Sequence, residues 1–298
     1  MNNRSATRKA VVVGVDGSPG SDLALDWAVE EATRKGLPLR IIHSFFYGYP
    51  MTSIGLGYPI DDLSDLAIDV GATAVERARQ TNPDLDITWE QPVHGRPAAA
   101  LVSASETADT LVVGARGMSA VRGVLMGSVS VQVAAHAHCP VVVVHELPTS
   151  APATAPVVVG VDGSDSSTDA IAYAYEQASS RGVGLTVVHA WWLWWPAYVE
   201  ISSASSIWAV DWRAVAQEEE AVVAQSLAGW QEKYPDVTVR RQMARQLPVE
   251  ALVDESRKAC LVVVGSRGRG GFAGLLLGSV SQGVMHRAQC PVAIVHTP

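Results

Sequence analysis

Six residues, Val13-Gly-Val-Asp-Gly-Ser18, recur letter for letter as Val159 to Ser164, and a looser pattern recurs behind each copy. That pattern is Gly114-x2-Gly117-x9-Gly127-Ser128 in the first half and Gly265-x2-Gly268-x9-Gly278-Ser279 in the second. An internal repeat of this kind sets the domain organisation before any local reading. Asp16 and His43 map onto Asp162 and His189 at a shift of 146 residues, whereas Pro97, Gly114 and Cys139-Pro140 map onto Pro248, Gly265 and Cys290-Pro291 at a shift of 151. The second copy has therefore gained five residues between His189 and Pro248, in its tryptophan-rich stretch. Each copy is long enough to bury a full core without disulfides or a structural metal. We expect two tandem domains, 1–147 and 157–298, joined by a linker at 148–156 that carries Pro148, Pro152 and Pro156.

With 48% hydrophobic and 17% charged residues, the chain suits parallel sheets buried on both faces. A net charge of −8, with no run of Lys or Arg, argues against nucleic-acid binding. Met1 to Lys9 lacks an apolar stretch, and no segment approaches the roughly 18 apolar residues of a membrane span. A cytoplasmic location without membrane insertion is the expectation. Three cysteines fit a reducing compartment, with Cys139 and Cys290 read as small buried apolar residues.

Apolar β-branched runs alternate with helical spacing. In the first copy, strands are expected at Ala10 to Val15, Leu39 to His43, Ile87 to Gln91, Thr110 to Val113 and Val141 to Val144. The polar alternation of the third suits a sheet edge. Helices are expected at Pro19 to Lys35, Asp61 to Gln80, from Pro97, and at Ser128 to Ala137. In the second copy strands fall near Val157 to Val161, Leu185 to His189, Val237 to Arg241, Leu261 to Val264 and Val292 to Val295. Such alternation implies an α/β fold, with a doubly wound parallel sheet and right-handed crossovers in each copy. Ligands of such sheets bind beyond the strand carboxyl ends.

Both repeated signals converge on that edge. Gly14 and Asp16 end the first strand, and Gly114 ends the fourth. Gly114 and Gly117 are expected to let the backbone approach a ligand, and Gly127-Ser128 leads into a helix whose free N–H groups favour an anion. Ser128, Ser130, Ser279 and Ser281 add hydroxyl donors. Arg116 and Arg267 either offset phosphate charge or face solvent. Asp16 and Asp162 either touch ribose hydroxyls or a phosphate-bound Mg²⁺, or brace their loops. There is no Gly-x4-Gly-Lys-Ser/Thr loop and no compact Gly-x-Gly-x-x-Gly turn.

The combination of Val-Gly-Val-Asp-Gly-Ser with Gly-x2-Gly-x9-Gly-Ser resembles the universal stress proteins, in particular their ATP-binding, tandem two-domain type found in mycobacteria and related actinobacteria. The resemblance spans nearly the whole chain, twice. It implies an adenine nucleotide alpha hydrolase-like fold with five parallel strands per domain in the order 3-2-1-4-5. It also implies ATP as ligand, with or without Mg²⁺. By position, Gly14, Val15 and Asp16 would sit near ribose and adenine, with Gly114, Arg116, Gly117, Gly127, Ser128 and Val129 around the phosphates. Gly160, Val161, Asp162, Gly265, Arg267, Gly268, Gly278, Ser279 and Val280 would do the same in the second copy.

The copies diverge after the second strand, where Phe45-Phe-Tyr-Gly-Tyr49 faces Trp191-Trp-Leu-Trp-Trp195-Pro196, with Trp208 and Trp212 to follow. Packing in a loop or interface is favoured over stacking on a purine, and unequal nucleotide affinities are expected. His43, His189, His145 and His296 end strands and read as structural. His136-x-His138 closes a helix, and no metalloprotease or hydrolase motif occurs. The favoured function is a nucleotide-dependent stress or dormancy regulator with two ATP sites, slow or no hydrolysis and an unknown protein partner. A Mg-dependent ATPase or phosphotransferase, or a nucleotide-free scaffold, stands as the alternative. The apolar fifth strands would stand at sheet edges, which either invite pairing or are blunted by a following loop; the family resemblance implies that they pair, between the two domains of one chain, with a homodimer of chains also expected.

Overall fold

The computed structural model describes residues 9–45, 60–118, 126–145, 154–191, 212–270 and 276–297. The first copy runs β1 (Ala10–Gly14), α1 (Pro19–Lys35), β2 (Leu39–Phe45), α2 (Ile60–Thr81), β3 (Ile87–His94), α3 (Pro97–Ser105), β4 (Ala108–Gly114), α4 (Ser128–His136) and β5 (Val141–Val144). The second runs β6 (Val157–Gly160), α5 (Asp165–Arg181), β7 (Leu185–Ala190), α6 (Trp212–Ser226), α7 (Trp230–Lys233), β8 (Val239–Ala244), α8 (Pro248–Ser256), β9 (Leu261–Gly265), α9 (Ser279–Arg287) and β10 (Val292–Val295). Helix boundaries follow local chemistry. Ser18 caps α1 by accepting from the Ser21 N–H at 3.2 Å, and Gly36 ends it in the left-handed conformation at φ 60°; Ser164 and Gly182 repeat both devices on α5.

The strands form one ten-stranded sheet in the order β3-β2-β1-β4-β5-β10-β9-β6-β7-β8. Each half has the expected 3-2-1-4-5 order and is parallel throughout; the join between β5 and β10 is antiparallel. Val141, Val142 and Val143 face Ile294, Ala293 and Val292, so equivalent residues of the two copies meet about a pseudo-two-fold axis. The pairing expected of the fifth strands is thus made within the chain, and a homodimer would need another surface. The outer edges fall to β3 and β8. Arg240 and Arg241 of β8 are exposed, charges that discourage further pairing. Val237, expected to open β8, is instead buried just before the strand. Among the described residues no helix is long and apolar enough to cross a membrane. Of the expected linker at 148–156, only residues 154–156 belong to the described segments.

Burial pushes the Cys139 thiol up to about 12 and raises Cys290 as well, which fits inert core residues rather than nucleophiles. The join is also closed by two reciprocal histidines. His145 Nε2 lies 2.8 Å from the Met285 carbonyl of α9, and His296 Nε2 lies 3.0 Å from the Ala134 carbonyl of α4. Burial holds both below the ordinary histidine value of 6.5, with Arg116 near His145, and His138 and Arg267 near His296, adding to the depression. The folded protein therefore binds fewer protons than the unfolded chain below pH 6.5. Stability is complete above that pH and falls as acid is added, by at most about 1.4 kcal/mol per histidine per pH unit. Denaturant titrations at pH 7.5 and 5.5 should show a smaller drop for His145→Gln/His296→Gln than for the unsubstituted protein; equal drops would remove the histidines as its source.

Candidate functional site

The chain order reverses at β1 and β4 in the first copy, and at β6 and β9 in the second, so a crevice opens beyond those strand ends. In the first copy the crevice is a cavity of about 510 Å³. It is lined by all the residues expected there: Gly14, Val15, Asp16, Gly114, Arg116, Gly117, Gly127, Ser128 and Val129. The second cavity, about 430 Å³, is lined by Gly160, Val161, Asp162, Gly265, Arg267, Gly268, Gly278, Ser279 and Val280. Both volumes lie within the range of about 300–1,000 Å³ typical of small-molecule sites.

Backbone hydrogen bonds hold the two walls in the same way in each copy. The Ala115 N–H donates to Val144 O at 2.9 Å, and the Gly127 N–H donates back to Ala115 O at 2.8 Å. Ser266 and Gly278 repeat this at 2.7 and 2.8 Å. The glycine loop is thereby folded so that α4 and α9 start at the cavity. Both helices begin at a glycine with no side-chain cap, which leaves the N–H groups of the first turn available to an anion. Arg116 and Arg267 are exposed on the cavity lining.

Much of the remaining wall is apolar. Ile42, Ala67, Val70 and Leu101 line it in the first copy, and Val188, Ala190 and Leu252 in the second. Sequence reading did not single out these residues, because apolar side chains one turn from a motif look like any other core. The strand-end histidines hold the loops: His43 Nδ1 is 2.7 Å from Val15 O, and His189 Nδ1 is 2.6 Å from Val161 O. His189 Nε2 also meets Glu219 Oε2 at 2.7 Å. Of the aromatic segments, residues 46–49 and 192–211 lie outside the described residues.

At three sets of the expected positions the structure shows contacts within the protein itself. Asp16 braces the site: Oδ1 accepts from the Ser18 N–H at 3.0 Å and Oδ2 from the Met118 N–H at 2.8 Å, tying the first-strand loop to the glycine loop. Asp162 does the same with Ser164 N–H at 3.0 Å, Ser164 Oγ at 2.6 Å and Arg269 N–H at 2.8 Å. Burial raises the Asp162 carboxyl, but the Ser164 and Arg269 hydrogen bonds and the Arg269 charge outweigh it and hold the group below the usual carboxylate range. Gly114 and Gly117 are small for internal reasons. A Cβ on Gly114 would lie 2.6 Å from Gly20 O, and one on Gly117 would collide with Asp16 Oδ2. Finally, Ser130 and Ser281 each give their hydroxyl proton to the strand-end carbonyls of Gly114 and Gly265 at 2.7 Å, so neither is a ready phosphate donor.

The sequence model of the universal stress protein family matches residues 7–145 and again 154–296. The chain belongs to that family. A universal stress protein of Mycobacterium tuberculosis is 39% identical over 293 residues, covering 95% of each chain. One from Mycobacterium bovis is 40% identical over 292 residues, covering 95% of this chain and 96% of the relative. The crystal structure of a universal stress protein from Archaeoglobus fulgidus matches 96% of both chains with a TM-score of 0.66 and 21% identity, a likeness of fold. In this universal stress protein no group of three or more His, Cys, Asp or Glu among the described residues could hold a metal.

Proposed function

We propose that each copy binds one ATP molecule and that the protein works as a nucleotide-dependent regulator of a stress or dormancy response. The observation that carries this reading is a cavity lined by an uncapped helix N-terminus, an arginine and several apolar side chains, built in the same way twice. The apolar wall suits a purine, and the N–H groups of α4 and α9, with Arg116 and Arg267, suit phosphates. ATP supplies charge that would draw the glycine loop onto the helix end. Asp16 and Asp162 transmit that ordering to the first-strand loop, because their carboxylates already tie the two loops together. Ribose hydroxyls could donate to the remaining lone pairs of those carboxylates. The surface that changes is the glycine loop itself, which a protein partner could read. We place the boundary between the two binding units at 148–156.

Calorimetry with ATP should return two molecules bound per chain, and steady-state phosphate release should stay well below about 1 s⁻¹, the low end for phosphotransferases. Turnover at or above that rate would move the reading to an enzyme. No heat from ATP, together with no adenine nucleotide in small molecules released from the purified protein, would remove it.

A further inference from the structure

Among the matched lining residues of the two sites, Met118 against Arg269 is the difference that changes charge; Ile42 against Val188 and Ser44 against Ala190 are neutral exchanges. Met118 and Arg269 follow Gly117 and Gly268, correspond at the 151-residue shift, and use their backbone N–H groups identically, each donating to its aspartate Oδ2 at 2.8 Å. Their backbones are equivalent, so the side chain is the difference. Met118 is 69% exposed and apolar. Arg269 folds back over the first-strand loop, where its Nη2 would lie 2.5 Å from a Cβ on Gly163, and its charge helps to hold the Asp162 carboxyl down. Among the described lining residues, the first cavity sets Asp16 against Arg116, whereas the second sets Asp162 against both Arg267 and Arg269.

We infer that Arg269 makes the second site select for phosphate number: it favours a nucleoside triphosphate over a monophosphate, and the first site, with Met118, discriminates less. The inference rests on the nucleotide-binding reading above. A guanidinium gains more from a polyphosphate than from a single phosphate, because additional oxygens come within charge-assisted hydrogen-bond reach. The aspartate takes up part of its charge, so the second guanidinium of the site tips the balance toward the more anionic ligand. An arginine that served only to steady the loop would alter binding of mono- and triphosphate alike.

The test is calorimetry of the full chain with ATP and with AMP, comparing the ratio of the two dissociation constants at each site. In the unsubstituted protein one site should show the larger preference for ATP. Arg269→Met should lower that preference roughly tenfold, Arg269→Lys should keep most of it, and Met118→Arg should raise the preference of the other site by a similar factor. The preference should also weaken with added salt. Unchanged ratios in Arg269→Met, with ATP still binding twice, overturn the inference and leave the nucleotide reading standing. Equal losses for ATP and AMP overturn it too and assign Arg269 to loop bracing. No binding of either nucleotide to the unsubstituted protein overturns both.

Discussion

Glu31→Ala is expected to destabilise the protein by about 3–5 kcal/mol, the usual result of removing one partner from a buried charge network. Glu31 is fully buried on α1, at the face where α1 meets α5 of the other copy. Its Oε1 accepts from Gln177 Nε2 at 2.5 Å and its Oε2 from Arg181 at 3.1 Å, with Arg34 paired to the same carboxylate. Gln177 in turn accepts from Arg181 Nε at 3.0 Å. Truncation would take one acceptor from each of two guanidinium groups and from an amide, around a carboxylate that is itself fully buried. Glu31→Gln should lose less, since the shape and one acceptor remain. Denaturant unfolding of the three proteins checks this, and an alanine variant within about 1 kcal/mol of the parent would show that the network contributes little.

The repeat explains why that position matters. Glu31 and Gln177 are equivalent residues at the 146-residue shift, as are Lys35 and Arg181, and Trp27 and Tyr173. Across the pseudo-two-fold axis Arg181 sits over the Trp27 ring at 5.2 Å and Lys35 over the Tyr173 ring at 5.6 Å. Lys35 also pairs with Glu176 at 2.9 Å. A symmetric pairing of first copies would set two Glu31 carboxylates against each other. One Glu and one Gln let an acceptor face a donor, so the two halves of one chain are complementary to each other in a way that neither is to itself.

The fold was readable because its signals are local. β-branched runs set the strands, helical spacing the helices, and the duplicated glycine pattern the register of the two copies. The helix at Pro19–Lys35 and the strands at Val141–Val144 and Val292–Val295 have the expected bounds. The merging of two sheets into one was legible only as unpaired apolar edges; which chain would cover them is not encoded in residue type. The site's membership was also legible, since both motifs must end on one sheet edge. What each residue does there was not. The residue pattern left Asp16 open between ligand contact and loop brace and read Gly117 as room for a ligand; the two lie side by side across 101 residues of chain, a proximity that exists only after β1 and β4 are paired. Aligning the copies would have exposed Met118 against Arg269, but their proximity to Asp16 and Asp162 needed the folded loop.

That same contact makes Gly117→Ala and Gly268→Ala the sharpest separators of the two sites. A Cβ on Gly117 has to displace Asp16 Oδ2, the atom that holds the Met118 N–H, and a Cβ on Gly268 has to displace Asp162 Oδ2 from Arg269 N–H. Each substitution unhooks one glycine loop from one first-strand loop. A hydrogen bond to a charged group is worth about 1.5–3 kcal/mol, so nucleotide affinity should fall roughly ten- to a hundredfold at the altered site and stay constant at the other. Global stability should change little, because the core strands do not depend on these surface loops. Calorimetry with ATP should then count one molecule per chain at concentrations that fill only the intact site, and the double variant should bind none; two undiminished sites in either single variant would end the account of Asp16 and Asp162 as loop braces. Gly127→Ala is the informative contrast. At φ −73° and with its nearest neighbour 3.6 Å from a built Cβ, this glycine has room for a methyl group in the free protein. A variant that folds normally yet loses ATP would show that the space beside Gly127 is kept for the phosphates.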